Sequence, residues 1–225
     1  MTDGELPLIL FSLAVAALAT VLILPVGIAV AYGMARWEGA GKGLIETLLS
    51  LPLVLPPTAV GLVLLEVLAR SSPLGQALDS LGIEVIFTPK AVVLASAIMA
   101  FPLLVRAARS GFEEVDPRLV AVARTLGDSR ARAFFRVTLP LAWRGVLTGA
   151  LLAFSRALGE FGATVLVAGN IPGRTQTLAL AIFHRTQLGQ DAEALRLAGV
   201  ATVIAFAAIY ATEVLSRRRG ARARA

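Results

Sequence analysis

The sequence contains no cysteine and only one histidine, His184, among its 225 residues. The absence of cysteine excludes disulfides and thiolate metal sites, and a lone histidine does not build a metal centre. The G-x-x-x-x-G-K-S/T phosphate loop is also missing, so we expect no ATP and no other cofactor to be bound by this chain through such a motif. Charged residues are scarce, at 16% against 57% hydrophobic residues. This composition is typical of a membrane protein.

Long apolar runs supply the expected membrane spans, since a helix needs about 20 apolar residues to cross about 30 Å of hydrocarbon. Four runs carry no charge, and a fifth is interrupted by Arg156 and Glu160. The sequence therefore predicts an all-α polytopic membrane protein that forms one domain over residues 1–225. Its five predicted spans are approximately 8–34, 44–68, 90–109, 145–168 and 194–215, with a polar loop over about 110–142.

Basic residues set the expected orientation, because short cytoplasmic loops are enriched in lysine and arginine. They concentrate on one side of a five-span chain, at Arg36, Lys42, Arg106, Arg109, Arg118, Arg124, Arg130, Arg132, Arg136, Arg144, Arg217, Arg218, Arg219, Arg222 and Arg224. This pattern predicts an external N-terminus, a cytoplasmic C-terminus and a cytoplasmic 110–142 loop in a multi-pass protein of the cytoplasmic membrane. The pI near 10.9 follows from that topology. We therefore expect contact with membrane lipids and none with nucleic acid.

The 110–142 loop has the pattern of two short amphipathic helices. Asp116 and Pro117 are typical of a helix start, and Gly127 is typical of a helix end. Asp128 is placed to begin the second helix, and Pro140 is expected to break or redirect the chain before the fourth span. The periodicity alone fits either helices lying on the lipid surface or a helix docked in a groove of a cytoplasmic partner.

Three stretches resemble a known family. The loop "AVARTLGDSRARAFFRVTLP" is similar to the signature loop of ABC importer permeases, with Gly127, Val137, Leu139 and Pro140 at the family's spacing. Ala123 matches the family's second alanine, whereas Ala121 stands where glutamate is usual. The stretches "LPLVLPPTAVG" and "SRALGEFGATVLVAGNIPGRTQTL" resemble the molybdate permease branch, of which sulfate permeases are close relatives.

The resemblance implies a type I ABC importer permease fold and a function in moving molybdate or tungstate across the membrane. It implies a second copy of the chain, two cytoplasmic ABC ATPase subunits that use ATP and Mg²⁺, and an external oxyanion-binding protein. The residues expected to couple this chain to the ATPase are Arg118, Leu119, Val122, Ala123, Arg124, Leu126, Gly127, Leu139 and Pro140.

The candidates for the translocation path or its gate lie at the prolines of the second span and at the charged pair of the fourth span. Arg156 and Glu160 are four residues apart and able to pair on one helical face, which makes them a structural ion pair or part of the path. Prolines in the second span free backbone groups that need a protein or water partner. The candidate residues are Pro56, Pro57, Thr58, Ser155, Arg156, Gly159 and Glu160.

Other classes of function remain as alternatives. A permease for sulfate, thiosulfate or another oxyanion is the nearest. A membrane enzyme is more remote, because no Ser/His/Asp set, pair of aspartates within spans or metal cluster is evident in the sequence. A membrane scaffold that uses the loop for lipid binding is the third. Association with an ATPase distinguishes a transporter subunit from the last two.

Overall fold

The computed structural model describes residues 5–222, and side chains at 208 and 211–222 are outside the description. The described chain is helical without strands. Its helices are α1 (Glu5–Arg36), α2 (Lys42–Val54), α3 (Pro57–Leu68), α4 (Pro73–Ser80), α5 (Pro89–Glu113), α6 (Pro117–Thr125), α7 (Arg130–Ala133), α8 (Leu139–Leu158), α9 (Gly162–Val167), α10 (Leu178–Gln187) and α11 (Asp191–Arg222), with a π-helical turn (Phe134–Thr138) between α7 and α8.

Three helical stretches in the described residues are long and apolar enough to cross a membrane: α1, α5 and the continuous stretch Arg130–Leu158. The pair α2 and α3 makes a fourth candidate if the two count as one broken span. Helix α11 covers the fifth predicted span, 194–215, but many side chains of its second half are not described. The predicted tail arginines fall there, and Arg224 lies outside the described residues.

The second predicted span is bent sharply. Helices α2 and α3 meet at an angle of 105° around Leu55 and Pro56. Pro56 and Pro57 have no backbone N–H, so the helical ladder cannot continue through them. Pro57 instead begins α3. A backbone N–H at the first position of a helix has no partner within the helix, so proline is tolerated there.

The fourth predicted span, 145–168, is not one continuous helix in the structure. Helix α8 begins at Leu139 and ends at Leu158, and α9 begins only at Gly162. Glycine is a poor helix former, and Gly159 stands at the end of α8. The Glu160 side chain then accepts the Ala163 backbone N–H at 2.8 Å, which replaces a helical hydrogen bond with a side-chain cap.

The helical path does not break at Pro140. Pro140 lies in the first turn of α8, and the helical path is continuous from Arg130 to Leu158. The π-helical turn explains this continuity: Leu139 N–H bonds to the carbonyl of Phe134, five residues back. This wider turn changes the hydrogen-bond register immediately before the residue that lacks a donor.

Helix α5 occupies the centre of the molecule, between α1 and α8. Small residues permit this packing: a Cβ built on Gly111 would lie 2.8 Å from the Cα of Gly145 in α8. At the end of the molecule that carries α6, a cluster of buried residues joins α1, α5 and α8. We call it the α6-end cluster, and it consists of Ala31, Val105, Ala108, Phe112, Val115 and Ala142.

Candidate functional site

Helix α6 is defined at both ends by its own sequence. The Asp116 carboxylate accepts the Arg118 backbone N–H at 2.9 Å, and Pro117 opens the helix. At the other end Gly127 has φ +98°, the left-handed conformation that glycine adopts without strain. The N–H groups of Gly127 and Asp128 bond to the carbonyls of Arg124 and Ala123, each at 3.1 Å. These two bonds form a Schellman motif, and the predicted elbow at Gly127 is confirmed.

The outer surface of α6 is an uncovered apolar ridge. Leu119, Val122 and Leu126 are 49%, 55% and 83% exposed, although they recur at helical spacing as core residues do. Arg118 and Arg124 are also exposed, so the apolar ridge carries cationic neighbours. Ala123 is only half-buried and thus less accessible than the ridge. This surface is a candidate for contact with another protein.

The inner surface of α6 rests on the α6-end cluster. Val120 is partly buried against the cluster, and so are Phe134 and Leu139. The Phe134 ring lies edge-on to the Tyr32 ring, with centroids 4.9 Å apart. Val120 thus joins α6 to a cluster whose members lie at the ends of α1, α5 and α8.

The start of α7 differs from its prediction. Ser129, and not Asp128, caps the helix by accepting the Arg132 backbone N–H at 3.3 Å. The Asp128 carboxylate instead lies 3.4 Å from the Arg136 guanidinium and 3.7 Å from that of Arg132. Asp128 therefore holds two of the loop's arginines beside the elbow. Pro140 is exposed and Leu139 half-buried, both in the first turn of α8.

The breaks in the second and fourth predicted spans lie side by side. We call residues 55–58 together with 159–162 the double break. A Cβ built on Gly162 would lie 2.7 Å from the Cβ of Pro57, and one on Gly61 would lie 2.7 Å from the Ala163 carbonyl oxygen. Such short distances require glycine at both positions, and they fix α3 firmly against α9.

Glu160 connects the two sides of the break in the fourth span. Its side chain is 1% exposed; Oε2 lies 2.7 Å from Nη1 of Arg156, and Oε1 accepts the Ala163 N–H. The predicted pairing with Arg156 is confirmed. Its geometry differs from that of a helical i,i+4 pair, because Glu160 lies beyond the end of α8. One carboxylate thus neutralises a membrane-embedded arginine and caps α9.

The other path candidates lie around this carboxylate. Ser155 is half-buried and its carbonyl accepts the Gly159 N–H at 3.3 Å, which closes the last turn of α8. Pro56 and Thr58 are exposed at the start of α3, while Pro57 is half-buried beside Gly162. The double break therefore brings together candidates from two segments that are distant in sequence.

The two ion pairs of Arg109 are among the contacts that were not predicted from the sequence. Arg109 of α5 donates to Glu46 of α2 at 2.5 Å and to Glu113 at 2.7 Å. Only the second pair has a local sequence signal, the i,i+4 spacing on one helix. Within the described residues, no group of three or more histidine, aspartate or glutamate side chains could hold a metal ion.

The fold defines the class of protein. The solved structure of a bacterial ABC transporter that imports the acidic polysaccharide alginate superimposes with a TM-score of 0.75. The likeness covers 97% of this chain and 80% of that one at 15% sequence identity. The described helices thus have the fold of an ABC importer permease.

Sequence comparison gives the family. Residues 23–218 match the binding-protein-dependent transport system inner membrane component family, and the chain belongs to this family. It is a multi-pass protein of the cytoplasmic membrane. The molybdenum transport system permease protein ModB of Escherichia coli K12 is 43% identical over 219 residues, which cover 96% of both chains. ModB of Haemophilus influenzae is 42% identical over 216 residues, covering 95% of this chain and 94% of that protein.

Proposed function

We propose that this chain is the permease subunit of an ABC importer that moves molybdate, or the chemically similar tungstate, into the cytoplasm. The observation that carries the proposal is similarity to molybdenum transport permeases along nearly the whole chain, at 43% identity for the E. coli protein. The partners in this proposal are a second copy of the chain, two cytoplasmic ATPases that use ATP and Mg²⁺, an external oxyanion-binding protein and the surrounding lipids.

The whole chain, residues 1–225, acts as one transmembrane domain with five spans in this proposal. In the proposed orientation the N-terminus is external and the C-terminus is cytoplasmic, so α6 lies in the cytoplasm. The concentration of arginine and lysine on the α6 side supports this orientation. The span count includes α2 with α3 as one broken span, α8 with α9 as another, and α11.

The α6 ridge is the proposed docking surface for the ATPase. Covering exposed leucine and valine side chains with a partner lowers the free energy. Docking of a helix in a groove is a common way to cover them. Ala121 is exposed where the family usually has glutamate, so docking here relies on apolar contact and on cations such as Arg118 and Arg124. Gly127, Leu139 and Pro140 then set the position of α6 relative to α8.

The double break is the proposed gate. Half-helices that end within a membrane pack as separate units, and such discontinuities occur where the backbone lines a path or is covered by protein. Closure of the ATPases would displace α6, and the α6-end cluster would pass that movement to α1, α5 and α8. Glu160 carries a negative charge, so its proposed role is to hold the gate and not to bind the anion.

The function is tested by reconstituting this chain in liposomes with its cognate ATPase and oxyanion-binding protein. We expect uptake of radioactive molybdate that requires ATP and the binding protein and is reduced by excess tungstate. Uptake of sulfate in place of molybdate would favour the nearest alternative substrate. A chain that associates with no ATPase at all would contradict the transporter assignment and favour an enzyme or a scaffold.

The orientation is tested by single-cysteine labelling, which needs no background mutations because the sequence has no cysteine. We expect Ala121→Cys to react with a membrane-impermeant maleimide only after intact cells are opened. Ile171→Cys, at an exposed position before α10, should react in intact cells. The reverse pattern would invert the proposed topology.

A further inference from the structure

Helix α2 is weakly attached to the rest of the described chain. It contributes no buried residue. Two of its side chains, three residues apart on one helical face, contact α5 or the α6-end cluster. Leu49 packs partly buried against the α6-end cluster, and Glu46 accepts the hydrogen bond from Nη1 of Arg109.

Arg109 is shared between two helices. Its Nη1 reaches Glu46 on α2, whereas its Nε reaches Glu113 one turn further along α5. The side chains of Arg109, Glu46 and Glu113 are 25%, 37% and 42% exposed. Ion pairs that are this accessible to solvent contribute little to folding stability, so a substitution in the Arg109–Glu46 pair should test transport without unfolding the chain.

The Arg109–Glu46 pair lies on the route from α6 to the double break. Glu113 ends α5, and α6 begins four residues later at Pro117. Val120 of α6 also packs on the cluster that contains Val105 and Ala108 of α5. A displacement of α6 therefore moves the last turns of α5, which carry Arg109.

The two halves of the broken span are held differently. Helix α3 is fixed against α9 by the close backbone contact at Gly61 and Ala163. Helix α2 instead borders a cavity of about 370 Å³, whose lining includes Glu46, Ser50 and Arg109. The cavity leaves room for α2 to move, and the bend at Leu55 and Pro56 provides the hinge.

We propose that Arg109 is a positioning residue for transport, linking the last turn of α5 to α2 through Glu46. This inference rests on the proposed function, because it assigns a route by which movement of the ATPase reaches the double break. When α6 is displaced, Arg109 carries α2 with it while α3 stays against α9, so the angle between α2 and α3 changes. The local Arg109–Glu113 pair orients the guanidinium for this contact.

The test compares Glu46→Gln with Arg106→Gln in the reconstituted complex. Glu46→Gln loses the charge that holds α2, whereas Arg106 lines the same cavity and has no ion pair within the described residues. We expect Glu46→Gln to lower molybdate uptake about tenfold, in the range of typical coupling between sites, while ATP hydrolysis stays within about twofold of the unsubstituted complex. Arg106→Gln should retain both activities.

A second, more conservative variant keeps the proposal testable if the Glu46→Gln chain misfolds. Arg109→Lys keeps the charge but loses the planar fork that reaches two carboxylates, so it should also separate hydrolysis from uptake. Equal uptake by Glu46→Gln and the unsubstituted complex would overturn the link, as would a parallel fall in hydrolysis and uptake in both variants. If the unsubstituted complex moves no oxyanion, the proposed function fails instead, and the two failures are thus distinguishable.

Discussion

Replacing Gly127 with valine is expected to leave ATP hydrolysis running while molybdate uptake falls about tenfold or more. The backbone at Gly127 has φ +98°, and a side chain with a Cβ in the left-handed region costs about 1–2 kcal/mol, with more for a β-branched residue. A strain of this size shifts the equilibrium between the native turn and an opened turn by about a factor of ten. Valine would relieve the strain by opening the turn after α6, which displaces Leu126 from the ridge.

The matched control at this position is Gly127→Asn. Asparagine tolerates the left-handed conformation better than other non-glycine residues, and no atom lies within 4 Å of the Cβ it would add. We therefore expect asparagine to retain most of the uptake. Uptake and hydrolysis are measured in the same proteoliposomes, so their ratio reports coupling directly. Full uptake by the valine variant would show that the left-handed turn at Gly127 is not needed for coupling.

Replacing Glu160 with alanine is expected to prevent accumulation of folded protein in the membrane. The substitution leaves Arg156 without its carboxylate, and breaking a buried pair in this way costs about 3–5 kcal/mol. Arg156 is 26% exposed, so the lower part of that range applies. The substitution also leaves the Ala163 N–H without its cap, which costs about 0.5–2 kcal/mol more.

The double variant Arg156→Met/Glu160→Gln separates charge from capping. Glutamine still accepts the Ala163 N–H, and methionine removes the cation that required a partner. We expect this chain to accumulate to near the level of the unsubstituted one, which is measured by detergent extraction and thermal aggregation. Its uptake then tests whether the ion pair acts in the gate. Normal accumulation of Glu160→Ala would contradict the bridging role of the carboxylate.

The sequence predicted local features well where their causes are local. Asp116, Pro117 and Gly127 define α6 through capping and backbone preferences that act within a few residues, and the structure confirms them. The break considered at Pro140 does not occur. A proline that breaks an ordinary α-helix is accepted here because the preceding π-helical turn changes the hydrogen-bond register.

The site itself could be predicted only in part. Arg156 and Glu160 were found because two charges in an apolar run are conspicuous. That Glu160 lies beyond the end of α8 and caps α9 depends on how the chain bends at Gly159. The contact between Glu46 and Arg109 joins residues 63 apart in sequence. No periodic pattern in the sequence predicts a contact over that separation.

The sequence by itself determined that the protein is helical and lies in a membrane, because hydropathy and short-range helix signals are properties of contiguous residues. The tertiary structure alone decided that the breaks at Pro56 and Gly159 lie together and that Val120 of α6 packs on a cluster built from the ends of three long helices. The physical reason is packing. Whether Gly61 can approach Ala163 to backbone contact, or Arg109 can reach Glu46, depends on the positions of whole helices, which no local pattern encodes.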